Sequence, residues 1–206
     1  MYHSTPDLPI GLIALVALPV LLLLWVAVIY NALVRLRQHC RESWSMIDTE
    51  LKRRYELIPN LVATVKGYAA HERTALEAVV AARGAAVAST GSPASQARDE
   101  NVLVDTLRRL LAVVENYPQL RADRSFLDLQ EELSNTEDRI QAARRFYNAN
   151  VRDLNTRVES FPTNVIASLF GFAQAEFFEV EAAAVRAPVA VTFDPSRSGP
   201  ASQAGA

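Results

Sequence analysis

From Leu8 to Tyr30 the chain carries no charged side chain, and this 23-residue run (LPIGLIALVALPVLLLLWVAVIY) limits the folds open to it more than any other feature. At about 1.5 Å of rise per residue, such a helix reaches roughly 34 Å, enough to cross a hydrocarbon core of about 30 Å. Pro19 lies inside the run, and membrane helices tolerate proline better than soluble ones do. Tyr30 suits the aromatic belt at a membrane interface. A cleaved secretory signal would want a basic leader, a shorter apolar stretch and a small-x-small site. Here the leader is MYHSTPD and the run continues into YNALVRLR. The reading is therefore a tail at residues 1–7 and a retained transmembrane helix at 8–30.

The flanks set an expected orientation. No Lys or Arg precedes the span, whereas Arg35, Arg37 and Arg41 follow it, opposed nearby only by Glu42. Positive-inside logic predicts a single pass through the cytoplasmic membrane, with the N-terminus outside and the bulk of the chain in the cytoplasm. The same three arginines are close enough to meet anionic headgroups, which makes the lipid bilayer the first expected partner.

Beyond Tyr30 the apolar residues recur at helix spacing. With only 7 Gly and half the chain apolar, the composition favours helices over strands. Leu33, Leu36, Cys40, Trp44, Ile47, Leu51, Tyr55 and Ile58 form one stripe, continuous with the membrane helix. Asp48–Lys52 and Glu50–Arg54 have the favourable i,i+4 order. Pro59-Asn60 predicts a turn, the alternative being a kinked helix running on to about Ala70. A second helix would use Leu61, Val65, Leu76, Val79 and Val87. A third would start at Ser92-Pro93, run through Leu103, Leu107, Leu110 and Val114, and stop at Pro118. A capping-box-like Ser125-x-x-Asp128 would open a fourth, whose seam passes through Leu133, Thr136, Ile140, Ala143, Tyr147, Val151 and Leu154. The predicted fold class is all-α: an N-terminal transmembrane helix followed by an antiparallel long-helix bundle of four-helix type over residues 31–180. Residues 181–206, rich in Pro, Ser, Ala and Gly, read as a disordered tail.

Up-down connectivity returns the chain to the bilayer after the fourth helix. There, five of the eight Phe fall between Phe161 and Phe178. Thr163–Phe170 reads as a short helix closed by Gly171. The Phe side chains either plug the membrane-proximal end of the core or dip into the lipid interface. Glu176, Glu179 and Glu181 would be repelled by anionic headgroups, which favours the core.

No catalytic constellation emerges. The chain has no Glu-x-x-His, HExxH, G-x-S-x-G, S-x-x-K or Gly-rich phosphate loop, and its single Cys lies on an apolar stripe. With 21 basic against 23 acidic residues there is no basic excess for nucleic acid. No cofactor, metal or enzymatic activity is expected. The charged groups left as possible partner contacts are Lys52, Arg53 and Arg54, about 35 Å along the first helix from the membrane, and Glu131 and Glu132 on the fourth. Pairing with neighbouring helix acids is the plainer explanation for the basic group, and a solvated helix face for the two carboxylates.

Three strings, LKRRYELIPNLVATVKGYAAHE (Leu51–Glu72), LQEELSNTEDRIQAARRFYNANVRDLNT (Leu129–Thr156) and SFPTNVIASLFGFAQAEFF (Ser160–Phe178), resemble the LemA family of bacterial membrane proteins. The anchor followed by VRLR and ESWSMIDTELKRRY fits the same pattern. The resemblance, over roughly residues 20 to 180, implies one transmembrane helix and a helical bundle. It carries no catalytic residue over to this chain. Members are often encoded near HtpX-type membrane metalloproteases or TPM-domain proteins, which implies a partner of that kind. The resulting expectation is a membrane-anchored scaffold or adaptor for a protein partner. The alternatives are a self-assembling, homo-oligomeric membrane organiser, or an accessory subunit of an envelope protease system.

Overall fold

The structure is a computed structural model that describes residues 10–179; the expected tails at 1–7 and 181–206 lie outside the described residues. It contains helices α1 (Ile10–Tyr68), α2 (Arg73–Ala88), α3 (Pro93–Val114), α4 (Pro118–Arg121), α5 (Arg124–Glu159) and α6 (Thr163–Leu169), and no strand among the described residues. The all-α class holds.

The turn expected at Pro59 is absent: α1 runs for 59 residues and passes through both Pro19 and Pro59. A proline inside a helix has no N–H for the carbonyl four residues back, which here belongs to Tyr55. That carbonyl is taken instead by Arg83 Nε of α2, at 2.7 Å. A side chain 28 positions away thus supplies the hydrogen bond that the proline removes. Leu61 and Val65, expected on a second helix, accordingly belong to the distal end of α1, and α2 begins only at Arg73.

Beyond the span, one stripe of α1 is buried: Leu33, Cys40, Ser43, Ile47, Leu51, Arg54, Ile58, Leu61 and Val65. The steps of 3, 4 and 7 are those of a helix packed along one seam. Its main partner is antiparallel α5, which buries Leu133, Thr136, Ile140, Ala143, Tyr147, Asn150, Val151 and Leu154. The α5 cap differs from the capping box expected at Ser125-x-x-Asp128. Asp123 is the N-cap, its carboxylate accepting from Phe126 N–H at 3.0 Å and from the Tyr68 hydroxyl at 2.9 Å. These bonds hold the Asp123 carboxyl below its ordinary pKa, the Phe126 amide contributing most. They also tie the start of α5 to the end of α1.

α2 and α3 are shorter than the pair they cover, and the core divides accordingly. The membrane-distal half packs Ile58, Leu61, Val65, Leu76, Val79, Leu103, Leu107, Leu110 and Leu133 between four helices. The proximal half packs Leu33, Cys40, Ile47, Tyr147, Val151 and Leu154 from α1 and α5, and is closed by the chain after α6. Gly171 (φ 68°) ends α6 in a left-handed cap. The Phe172 amide bonds back to the Ala167 carbonyl at 2.9 Å and the Gly171 amide to the Ser168 carbonyl at 3.3 Å, a Schellman arrangement. The chain then runs extended along α5, away from the membrane end.

Candidate functional site

Two asparagines hold this extended strap. Asn155 donates to the Ala175 carbonyl at 2.9 Å and accepts from the Ala175 amide at 2.8 Å. Asn148 pairs in the same two-way fashion with Phe178, at 3.1 and 3.0 Å. Two helical turns separate the asparagines, about 10 Å, which matches three residues of extended chain. Each side-chain amide acts as one rung of a sheet-like ladder. The Tyr147 hydroxyl adds a bond to the Glu176 carbonyl at 2.8 Å, and burial, as the chief cause, pushes its pKa up to about 12. Phe178 is fully buried edge-on to Trp44, 5.3 Å between ring centres, and Phe172 is 7% exposed. Sequence reasoning missed both asparagines; their seven-residue spacing beside the α5 seam was the available signal.

The clustered phenylalanines therefore divide. Phe172 and Phe178 fill the proximal core, as the plug reading expects, while Phe161 is 83% exposed and Phe170 49%. Glu176 is not at the bilayer, as the charge argument assumed. It rides up the strap to lie 3.4 Å from the Ala94 amide at the start of α3.

A buried ionic cluster marks the junction of the two half-cores. Arg54 is 2% exposed and bonds through Nη2 to Glu100 and through Nη1 to Glu137 at 2.7 Å. Glu100, also buried, accepts from the Tyr55 hydroxyl as well. Burial and then the Glu100 bond drive the Tyr55 pKa far up, so Tyr55 stays a donor. Glu100 was missed in the sequence, although it stands on the α3 stripe three residues before Leu103. Arg54 stands likewise between Leu51 and Ile58. A second polar crossing joins Asn150 of α5 to the Ser43 hydroxyl at 3.1 Å.

The charged residues singled out in the sequence thus separate. Arg54 faces inward, pairs with acids on α3 and α5 rather than with Glu50, and has no surface to offer a partner. Glu50 instead faces Arg139 at 4.0 Å. Arg53 and Glu132 pair across α1 and α5 at 2.8 Å, both on the surface, and Lys52 pairs with Asp48 as expected. Glu131 is exposed on α5. Arg35 and Arg41 are exposed just past the span, while Arg37 lies over the Phe172 ring at 4.9 Å. Arg37, Arg41, Cys40, Trp44, Tyr147 and Phe172 border a cleft of about 450 Å³ under the strap. Cys40 within it is buried; desolvation first, and then the Asp153 charge, raise its thiol pKa and so oppose thiolate formation. Among the described residues no group of three or more His, Cys, Asp or Glu is placed to hold a metal.

The span is the part of α1 that no protein covers: Leu15, Leu18, Leu21, Leu23 and Val28 are all at least 65% exposed, and the window is almost wholly unburied within the molecule. An apolar helix bare on every side belongs in lipid. The molecule is a membrane protein with one candidate span among the described residues, continuous with a helical bundle.

The LemA family model matches residues 43–193, most of the chain, and the chain belongs to the LemA family. Among curated relatives it is 26% identical over 175 residues to magnetosome protein MamQ 2 of Paramagnetospirillum magneticum, covering 73% of this chain and 64% of that one. It is 25% identical over 174 residues to magnetosome protein MamQ of Magnetospirillum gryphiswaldense, covering 72% and 64%. It is 26% identical over 138 residues to protein LemA of Metamycoplasma hominis, covering 66% and 63%. The matched region thus spans under two thirds of the length of these relatives.

Proposed function

We propose that the protein is a non-enzymatic scaffold or adaptor that holds a rigid helical rod at the cytoplasmic membrane and presents it to a protein partner. One observation carries this reading: a single unbroken helix is both the membrane span and the central post of the bundle. A partner bound to the bundle would be held at a fixed height above the bilayer. The basic flank Arg35, Arg37 and Arg41 supports a cytoplasmic bundle with the N-terminus outside. The Lys52, Arg53, Glu131 and Glu132 surface, about 33 to 35 Å from the end of the span, is the candidate contact face. An HtpX-type protease or a TPM-domain protein would be a partner of the expected kind. Relatives named as magnetosome proteins fit a part in an assembly better than a turnover reaction.

Photo-crosslinking in living cells tests this, with a photoreactive residue in the full-length chain at Arg53 or Glu132, or on another face at Val80, which is exposed on α2. The expected result is one recurring partner protein from one face, lost on reversing the charges there. Crosslinks to the chain itself would favour the membrane-organiser alternative. No crosslink from any face would remove the adaptor reading. A C-terminal tag digested by protease added outside intact cells would overturn the orientation.

A further inference from the structure

The membrane-proximal end of the bundle carries an exposed apolar surface that the core does not use. On α6, Thr163, Ile166 and Ala167 face inward, whereas Val165 and Leu169 are 56% and 73% exposed. Val165 and Leu169 are i,i+4 on the outer side of this short helix, and Phe161, 83% exposed in the turn just before α6, continues the exposed apolar stripe. Phe170, half-exposed, extends it.

The position of this stripe is fixed in two independent ways. Tyr30, the last residue of the apolar span, packs against Phe170 with ring centres 4.9 Å apart and against Phe172 at 5.7 Å. The antiparallel register of α1 and α5, with Ser43 opposite Asn150 and Arg54 opposite Glu137, puts Phe161 level with about residue 30 at equal helical rise. Both ends of the stripe therefore lie at the height where α1 leaves the bilayer.

Its chemistry suits that height. From Ser160 to Ala175 there is no charged side chain. The flanking Glu159 is bonded to Gln174. Glu176 and Glu179 are carried up the strap and away, Glu176 to the level of Tyr147 and Ala94. Arg35 and Arg41 stand exposed on the neighbouring turns of α1. An uncharged aromatic and aliphatic stripe, beside a lipid-embedded helix and beneath exposed arginines, has the composition of an interfacial membrane contact.

We propose that Phe161, Val165, Leu169 and Phe170 form a second membrane contact, a foot seated in the lipid interface beside the exit of α1. The occupant is the bilayer because the stripe is continuous with the span through the Tyr30–Phe170 contact. A helix attached at one point is free to tilt and swivel. A foot beside it fixes both the tilt of the rod and the face it presents. This holds whether or not the rod recruits a partner.

The test uses the full-length chain in vesicles of phosphatidylcholine and phosphatidylglycerol, labelled with an environment-sensitive fluorophore at V165C, L169C or, as an aqueous control, V102C. Cys40 is buried, so labelling goes to the introduced thiol. At V165C and L169C the expected result is strong quenching by lipids doxylated near the headgroup and protection from aqueous iodide. V102C, on the far half of the bundle, should behave oppositely. Iodide access at both α6 sites equal to that at V102C would overturn the foot. Protection from both quenchers would overturn it as well, because protein, such as a second copy, would then cover the stripe.

Discussion

Replacing Arg54 by Met is expected to destabilise the bundle by about 3–5 kcal/mol, the cost of leaving a buried carboxylate without its partner. Glu100 is as buried as Arg54, and among the described residues it would keep the Tyr55 hydroxyl without the guanidinium. The double variant R54M/E100L should recover most of that loss, because a buried ion pair and an apolar pair of similar volume are often nearly equal in stability. E100Q should cost less than R54M, since Gln Oε1 still accepts from Arg54 while its amide N–H can donate to a reoriented Tyr55 hydroxyl. Denaturant unfolding in detergent micelles, followed by helicity, gives all three values and their coupling. Equal losses in R54M and the double variant would contradict the assignment. The pair also has a structural role that stability alone does not report. It joins α1 to α3 at the boundary of the half-cores and pins the register of the α2–α3 hairpin, as a polar residue at a core position does in coiled coils. Hydrogen exchange in R54M/E100L should therefore show faster opening of α2 and α3, even with global stability restored.

The next largest effect is expected at Arg83. R83M removes the side-chain donor to the Tyr55 carbonyl that Pro59 orphans, and should cost up to about 1–3 kcal/mol, the penalty for an unmet acceptor, here a part-buried one. P59A restores the backbone N–H and should stabilise α1, by up to the ~3 kcal/mol that separates Pro from Ala in a helix interior. In the P59A background the R83M penalty should shrink strongly. The same penalty in both backgrounds would show that Arg83 acts through packing rather than by replacing the missing bond.

These two sites also show where the sequence was readable and where it was not. The apolar run at the start of α1, the α5 seam, the Pro93 start of α3 and the Gly171 stop of α6 follow from local chemistry; the seam, the start and the stop are found where expected, and the run forms an exposed apolar helix. Pro59 misled because its local signal, a helix break, is reversed by a residue on another helix. Nothing near position 59 announces Arg83. In the sequence Arg54 resembles a surface cation because its neighbours Lys52 and Arg53 are charged. Its spacing from Leu51 and Ile58 carried the truer signal, that of a core position, and Glu100 repeats it with opposite sign on α3. The ladder formed by Asn148 and Asn155 has no counterpart in apolar patterning, since both are polar residues beside the seam. The Phe-rich segment reads as one unit, but Gly171 divides it into an exposed stripe before the turn and a strap after it that buries Phe172 and Phe178.

The rod depends on α1 being one unbroken helix from the bilayer to the far tip of the bundle. Spin labels on two exposed α1 positions, Gln38 and Lys66, test this directly by pulsed electron–electron distance measurement on the full-length protein in lipid nanodiscs. A continuous helix spanning those 28 residues predicts a narrow distribution near about 42 Å. A helix that turns back at Pro59 would instead bring the labels to roughly 25 Å or less, and that distance would contradict the rod.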